Sequence, residues 1–276
     1  MTTATPNVER RAWLGAQLEH AAAALGVTTT AEPVFGWHDR TIGSRANTAD
    51  GERWLRVVTE MPHWVGGAFW TGNLDASVIS DVPKPRLLTE LDWSDEHCQL
   101  RAELMTLAPS PLIAHDMVLR DAPDLPSRWW AELRRALDIL STQHTERVCV
   151  APSRLRLRLL AAFGVDIDST DVQWTCAHGD LHWANLTAPH LCLLDWEAWG
   201  LAPAGYDAAV LDCASILCPD IRKRTQNTFA DLLESPSGQV AQLAAILKLL
   251  CLVEDGEHLD IAAPLHQHAR TLITHL

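Results

Sequence analysis

The sequence predicts an α+β chain of two lobes, the first built mainly from strands and the second mainly from helices. Three observations predict it: short apolar runs punctuated by glycine over residues 33–60, a Pro-Ser-Pro break at 109–111, and helical periodicity from Pro126 onward. A length of 276 residues with 47% hydrophobic side chains is enough to bury one or two cores.

Residues 9–25 place Trp13, Leu14, Leu18, Ala21, Ala22 and Leu25 on one side at helical spacing, and Gly26 closes that helix. Residues 33–60 then read as two or three antiparallel strands. The Asp50-Gly51 step between TIGSRANT and ERWLRVV is a hairpin signal. A helix is expected around Trp70–Ile79, although Gly66, Gly67 and Gly72 weaken its propensity. Pro83 and Pro85 make residues 82–88 extended or turning, because two prolines forbid a regular helix. Residues 97–107 alternate as a strand, and the lobe boundary falls at the break that follows.

In the second lobe Ser127 is a candidate cap for a helix with Trp130, Leu133, Leu137 and Leu140 on one face. Further helices are expected over 153–163, over the strongly apolar 239–255, and over 260–275.

Composition narrows the function. A formal charge of −13 disfavours nucleic acid as a partner and suits a cationic substrate as well as plain solubility. Seven scattered cysteines without a CxxC predict neither a disulfide framework nor a zinc site, and point to a reducing cytoplasm. No run approaches eighteen uninterrupted apolar residues, so no membrane span is expected, and the start MTTATPNVERRAWL lacks the pattern of a secretory signal. His178 and His182 are four apart, but the intervening glycine differs from a helical HExxH zinc site, and no GxSxG elbow is present.

The chemistry concentrates in CAHGDLHWANLTAPHLCLLDWEAWG, residues 176–200. Asp180 precedes Asn185 by five residues. A short turn then leads to an apolar strand, Leu191–Leu194, that ends in Asp195. If Leu186-Thr187 pairs with that strand, Asn185 and Asp195 share the open end of a hairpin, with Asp180 in the loop leading into it. Two carboxylates and an amide oxygen are what phosphoryl transfer needs. One carboxylate takes the proton of the acceptor hydroxyl; the other, with the amide oxygen, holds magnesium against the nucleotide phosphates.

The run His178-Gly179-Asp180-Leu181-His182-Trp183-Ala184-Asn185 resembles the catalytic loop of the aminoglycoside phosphotransferase and choline kinase family, relatives of protein kinases. Leu194-Asp195-Trp196-Glu197 is similar to that family's metal-binding segment, and Pro203–Ala209 to its next helix, whose early aspartate, here Asp207, is structural. The resemblance covers about residues 174–212 closely and residues 33–110 loosely. It implies a two-lobed protein-kinase-like fold, with residues 1–107 as a nucleotide-binding N-lobe and 108–276 as a helical C-lobe carrying the catalytic loop and the acceptor site. It implies ATP and Mg2+ as cofactors, Asp180 as catalytic base, His178 as a hydrogen-bonding scaffold of the catalytic loop, and Asn185 and Asp195 as magnesium ligands. Glu197 would orient the site or hold a second ion.

In the first lobe the resemblance implies a phosphate-covering turn, for which Ile42-Gly43-Ser44-Arg45 is the candidate through Gly43 and Ser44. It also implies a phosphate-binding lysine on the next strand, where this sequence has Arg56 instead; guanidinium is bulkier and planar, so the exchange is not neutral. Asp75 is a candidate acidic partner for that cation, and Lys84 an alternative cation. Glu103 and Met105 match the hinge strand whose backbone bonds adenine. The reading favoured is a kinase acting on a hydroxyl of a small molecule, such as an aminoglycoside, amino alcohol or sugar. Two others stay open: a tailoring kinase for Ser or Thr of a peptide precursor, and a non-catalytic pseudokinase, motivated by Arg56. Trp130 and Trp196 are expected in the core, while Trp183 and Trp199 could line an acceptor pocket.

Overall fold

The computed structural model describes residues 8–96 and 98–274. The first seven residues, which precede the expected opening helix, the strand start at His97 and the helix end at His275 lie outside the described residues. The chain divides into two compact units: 1–77 with 84–108, and 78–83 with 109–276.

The first unit packs one helix on one antiparallel sheet. Helix α1 (Val8–Ala24) buries Leu14, Leu18, Ala21 and Ala22 in a core shared with Ile42, Leu55 and Leu100 of the sheet. The strands are β1 (Thr28–Thr29), β2 (Val34–Phe35), β3 (Thr41–Thr48), β4 (Gly51–Glu60), β5 (Leu87–Ser94) and β6 (Gln99–Thr106). Their order is β1-β3-β4-β6-β5, with β2 also paired to β3. The Asp-Gly turn is where the sequence put it: Thr48 pairs with Gly51, whose φ of +105° is a conformation glycine adopts without a Cβ penalty. Helix α2 (Ala68–Asp75) follows β4 and tightens into a 3-10 turn at Ala76–Val78, close to the expected helix. Strand β5 was not anticipated beyond an extended start. It is an edge strand with one half-buried face (Leu87, Leu91, Trp93), and the exposed Leu88, Thr89, Glu90 and Asp92 blur its alternation.

The second unit is helical around a small two-stranded sheet. Helix α3 (Ser127–Ser141) buries Trp129, Trp130, Leu133 and Leu137. Ser127 is not its cap: Pro126 holds that position, and the Ser127 hydroxyl instead accepts from Arg224 at 3.1 Å. Helix α4 (Pro152–Phe163) stops at Gly164, φ +68°. Strands β7 (Trp174–Ala177) and β8 (Gly200–Pro203) pair antiparallel. Then come α5 (Tyr206–Ala214), α6 (Pro219–Thr228), α7 (Ala230–Leu233), α8 (Pro236–Glu254) and α9 (Ala262–Ile273).

Helix α8 starts with Ser235 accepting from the Gly238 amide at 3.0 Å and packs against α4, α5, α7 and α9. Among the described residues it alone is long and apolar enough to cross a membrane by length and composition, and 67% of that stretch is buried within the structure. That is the burial of a core helix.

Candidate active site

The site is positioned by the pairing of β7 with β8. Ala177 lies opposite Gly200, so residues 178–199 leave and re-enter one small sheet as a loop clamped at both ends. Inside this loop Leu186 bridges Leu193 antiparallel, and the Leu194 amide donates to the Asn185 carbonyl at 2.9 Å. The hairpin expected from the sequence is therefore a bridge rather than two full strands, with Asn185 and Leu194 as its end pair. Asp195 follows immediately, exposed and with a φ of +61°, rare for a residue with a side chain.

His178 ties the two arms together. It is fully buried; its Nε2 donates to the Leu194 carbonyl at 2.9 Å and its Nδ1 accepts from the Asp180 amide at 3.3 Å. Burial pushes its pKa down to about 4, so the ring is neutral and one tautomer serves both contacts. Beneath it Asp207, at the start of α5, accepts from the amides of His178 at 2.7 Å and Gly179 at 2.9 Å. Burial raises the Asp207 carboxyl to about 6 although those two amides pull it down. Gly179 has no substitute here: its φ is +82°, and a Cβ would sit 2.6 Å from the Ala198 carbonyl oxygen and 2.6 Å from the Cys149 sulfur.

Asp180 is thus presented by a rigid loop, its side chain about a quarter exposed (26%). Its Oδ1 accepts from the Lys248 ammonium at 2.6 Å, and Lys248 Nζ also donates to the Gly179 carbonyl at 2.8 Å. Its Oδ2 lies 3.5 Å from His182 Nε2. Burial raises the Asp180 carboxyl, but Lys248 and His182 outweigh it and hold the group well below the usual carboxylate range. Asp180 is therefore ionised throughout the neutral range.

Asn185 is buried, and its side-chain nitrogen donates to the Asp180 carbonyl at 3.0 Å and lies 3.2 Å from His182 Nε2. A carbonyl acceptor fixes which end of the amide is nitrogen, so the Asn185 oxygen is turned the other way. An amide oxygen and an exposed carboxylate, as on Asn185 and Asp195, are hard-oxygen donors of the kind that magnesium takes alongside water. The donor chemistry fits Mg2+. Among the described residues no group of three or more His, Cys, Asp or Glu side chains is gathered that could hold a metal ion by itself.

Other groups brace the loop. The Arg147 guanidinium donates to the carbonyls of Trp199 and Glu197, both at 3.0 Å, and lies 4.7 Å over the Trp199 ring. Glu197 is itself buried. Trp183 and Trp199 do not line a pocket. Trp183 is fully buried against Trp129 and Trp130 with its indole N–H on the Ser215 hydroxyl at 2.9 Å, and Trp199 is 4% exposed. Trp130 and Trp196 are buried as expected.

The first-unit residues are placed differently from what the resemblance implied. Gly43 and Ser44 are not in a turn: they lie in the middle of β3, opposite Arg56 and Leu55. The six-residue run to Thr48 pairs continuously with β4, and the Ser44 hydroxyl, 1% exposed, donates to the Ala31 carbonyl at 2.8 Å. A Cβ at Gly43 would meet the Trp54 ring at 2.6 Å, so that glycine makes room for an indole within the sheet. Glu103 and Met105 lie in β6 between β4 and β5, with partners on both sides, so their backbone groups belong to the ladders. Arg56 and Glu103 are directly opposite on β4 and β6, joined at 3.3 Å, and Asn73 of α2 donates to the same Glu103 oxygen at 2.8 Å. Glu103 is therefore an acidic partner of Arg56, and Asp75 accepts from Thr71 at 2.6 Å.

Sequence reasoning missed Lys248 and Arg147. For Lys248 a signal existed: it is the single charged residue in the first eighteen positions of an apolar helix. Such a charge needs a partner. Arg147, in an irregular stretch, carried none.

No family model matches the sequence, and no curated protein matches it. Solved structures do. The ethanolamine kinase of Plasmodium vivax is similar at 9% identity and a TM-score of 0.50, over 87% of this chain and 81% of that one. A spectinomycin phosphotransferase crystallised with ADP and spectinomycin is similar at 10% identity and a TM-score of 0.46, over 86% and 83%. At these identities the likeness speaks of architecture. The chain has the two-lobed, protein-kinase-like fold that the ethanolamine kinase represents, with a sheet-built unit and a larger helical unit.

Proposed function

We propose that this protein is a phosphotransferase that moves the γ-phosphoryl group of ATP to a hydroxyl group of a small molecule, with Asp180 as the base. The observation that carries the proposal is the arrangement within residues 178–199. An ionised, partly exposed Asp180 stands in a loop that also carries Asn185, whose amide nitrogen donates to the Asp180 carbonyl, and the exposed Asp195, which follows the end pair of Asn185 and Leu194. The kinase-like fold supports the same reaction class.

In this reading the acceptor hydroxyl lies against the Asp180 carboxylate. Its oxygen forms a bond to the γ-phosphorus while the bond from that phosphorus to the bridging oxygen breaks. ADP departs with the electron pair, and the hydroxyl proton passes to Asp180. Asn185 and Asp195 would hold magnesium, which when bound neutralises charge on the phosphates. His178 keeps Asp180 and the Asp195 arm in register through its two ring nitrogens. The net negative charge of the chain, −13, favours an acceptor bearing an amine. Amino alcohols such as ethanolamine and aminocyclitols such as spectinomycin, the substrates named for the two similar structures, are the first acceptors to try.

The test is phosphate transfer from MgATP to such a panel, with phosphate release to water as the background. Asp180→Asn is expected to lower kcat by about 10²–10⁴-fold while leaving nucleotide binding intact. Turnover that survives this substitution removes Asp180 from the role. A protein that binds no ATP in the presence of magnesium is not a kinase.

A further inference from the structure

We propose that Lys248 is a positioning residue for this reaction, fixing the orientation of the Asp180 carboxylate; the inference rests on Asp180 being the base. The geometry is a two-point anchor. One ammonium holds the Gly179 carbonyl at 2.8 Å and the Asp180 Oδ1 at 2.6 Å, so the peptide before Asp180 and the end of its side chain are tied to the same atom. This leaves the carboxylate little freedom to rotate, with Oδ2 turned toward His182 at 3.5 Å.

Stability alone does not account for the lysine. The two side chains are 27% and 26% exposed, and ion pairs open to water contribute little, about 0–1 kcal/mol at the surface. Its neighbours Ile246, Leu247, Leu249 and Leu250 are all buried, so an apolar side chain would suit the helix. The charge sits where the reaction needs an oriented carboxylate, and it comes from α8, outside the catalytic loop. An ammonium has three donors, and two are engaged here.

The experiment compares wild type, Lys248→Met, Lys248→Ala, Lys248→Arg and Asp180→Asn with MgATP as the probe, reading phosphate release. Lys248→Met is expected to lower kcat by about 10–100-fold, the scale of a misplaced catalytic group, with KM for ATP unchanged. Added methylammonium is expected to restore part of the loss in Lys248→Ala, a recovery that a purely structural lysine would not give. A crystal structure of Lys248→Met is expected to show Asp180 in another rotamer on an unchanged 178–185 backbone. If Lys248→Met does not fold, Lys248→Arg decides: a lowered kcat at constant KM supports the proposal, and a wild-type kcat overturns it. Wild-type kcat in Lys248→Met alongside an inactive Asp180→Asn defeats this inference and leaves the proposed function standing. Activity in Asp180→Asn, or no binding of MgATP by the wild type, defeats both.

Discussion

Each unit sets a cation against a carboxylate, and the two pairs differ in what surrounds them. In the first unit Arg56 and Glu103 face one another across neighbouring strands, 12% and 3% exposed, and Asn73 donates to the same Glu103 oxygen. In the second, Lys248 and Asp180 are each about a quarter exposed, and the carboxylate stands at the end of a loop rather than within a sheet. A closed pair holds a fold: removing one partner strands a buried charge. An open pair contributes little stability and keeps its carboxylate within reach of a ligand. The first is enclosed by the sheet; the second leaves its carboxylate open to solvent.

If the second unit's loop exists to present Asp180, its support should be intolerant of change. Gly179→Ala is the most severe way to break it. The new Cβ must overlap the Ala198 carbonyl and the Cys149 sulfur at a φ of +82°. Strain and overlap together are expected to cost about 3–5 kcal/mol and to abolish turnover. Urea unfolding and phosphate release measure the two. A variant of wild-type stability and activity would show that the loop is not rigid.

Beneath the open pair, Asp207 is buried and held by two amides, and this predicts a pH signature. Its folded pKa is raised from 3.8 to about 6, so its protonated form is the one the fold favours. That contribution is present below pH 3.8 and is lost as pH rises toward 6. His178 runs the other way: its folded pKa is lowered from 6.5 to about 4, so its contribution is present above 6.5 and lost as pH falls toward 4. Each amounts to about 3 kcal/mol, and they oppose one another between pH 4 and 6. Wild-type stability should be nearly flat in that window. Asp207→Asn should uncover the His178 slope, with stability rising by about 3 kcal/mol between pH 4 and 6.5. Urea unfolding at pH 4.5, 5.5 and 6.5 reads the slope. A flat profile in the variant would mean that His178 is not neutral in the fold.

The same contrast explains what could be read in the sequence. The clamped loop was legible because its parts are contiguous: Asp180, Asn185 and Asp195 lie within sixteen residues, and the apolar run before Asp195 marks the returning arm. The Asp50-Gly51 turn and the helices α1, α3, α4, α8 and α9 were legible for the same reason, since caps, turns and periodicity are local. What was lost is what strand pairing and helix packing bring from afar. Glu103 meets Arg56 across 47 residues, and Lys248 meets Asp180 across 68. Gly43 was read as a turn because glycine often marks one. In β3 it is instead the gap that admits Trp54, a role set by register across the sheet.

The smallest effect sharpens the comparison most. Glu103→Gln keeps the shape of the side chain and an oxygen for Asn73, but removes the charge that faces the Arg56 guanidinium, itself 12% exposed. The loss is expected to be about 2 kcal/mol, the worth of a hydrogen bond to a charged group. Lys248→Met removes a cation from a pair that water already screens. It should cost less than about 1 kcal/mol, because the freed Asp180 carboxylate can hydrate at once. Equilibrium unfolding of the two variants side by side gives the order directly. If Lys248→Met proves the more destabilising, the second pair is a clasp of the fold like the first, and Asp180 is held for packing. If Glu103→Gln does, stability resides in the closed pair and the open one is left for chemistry.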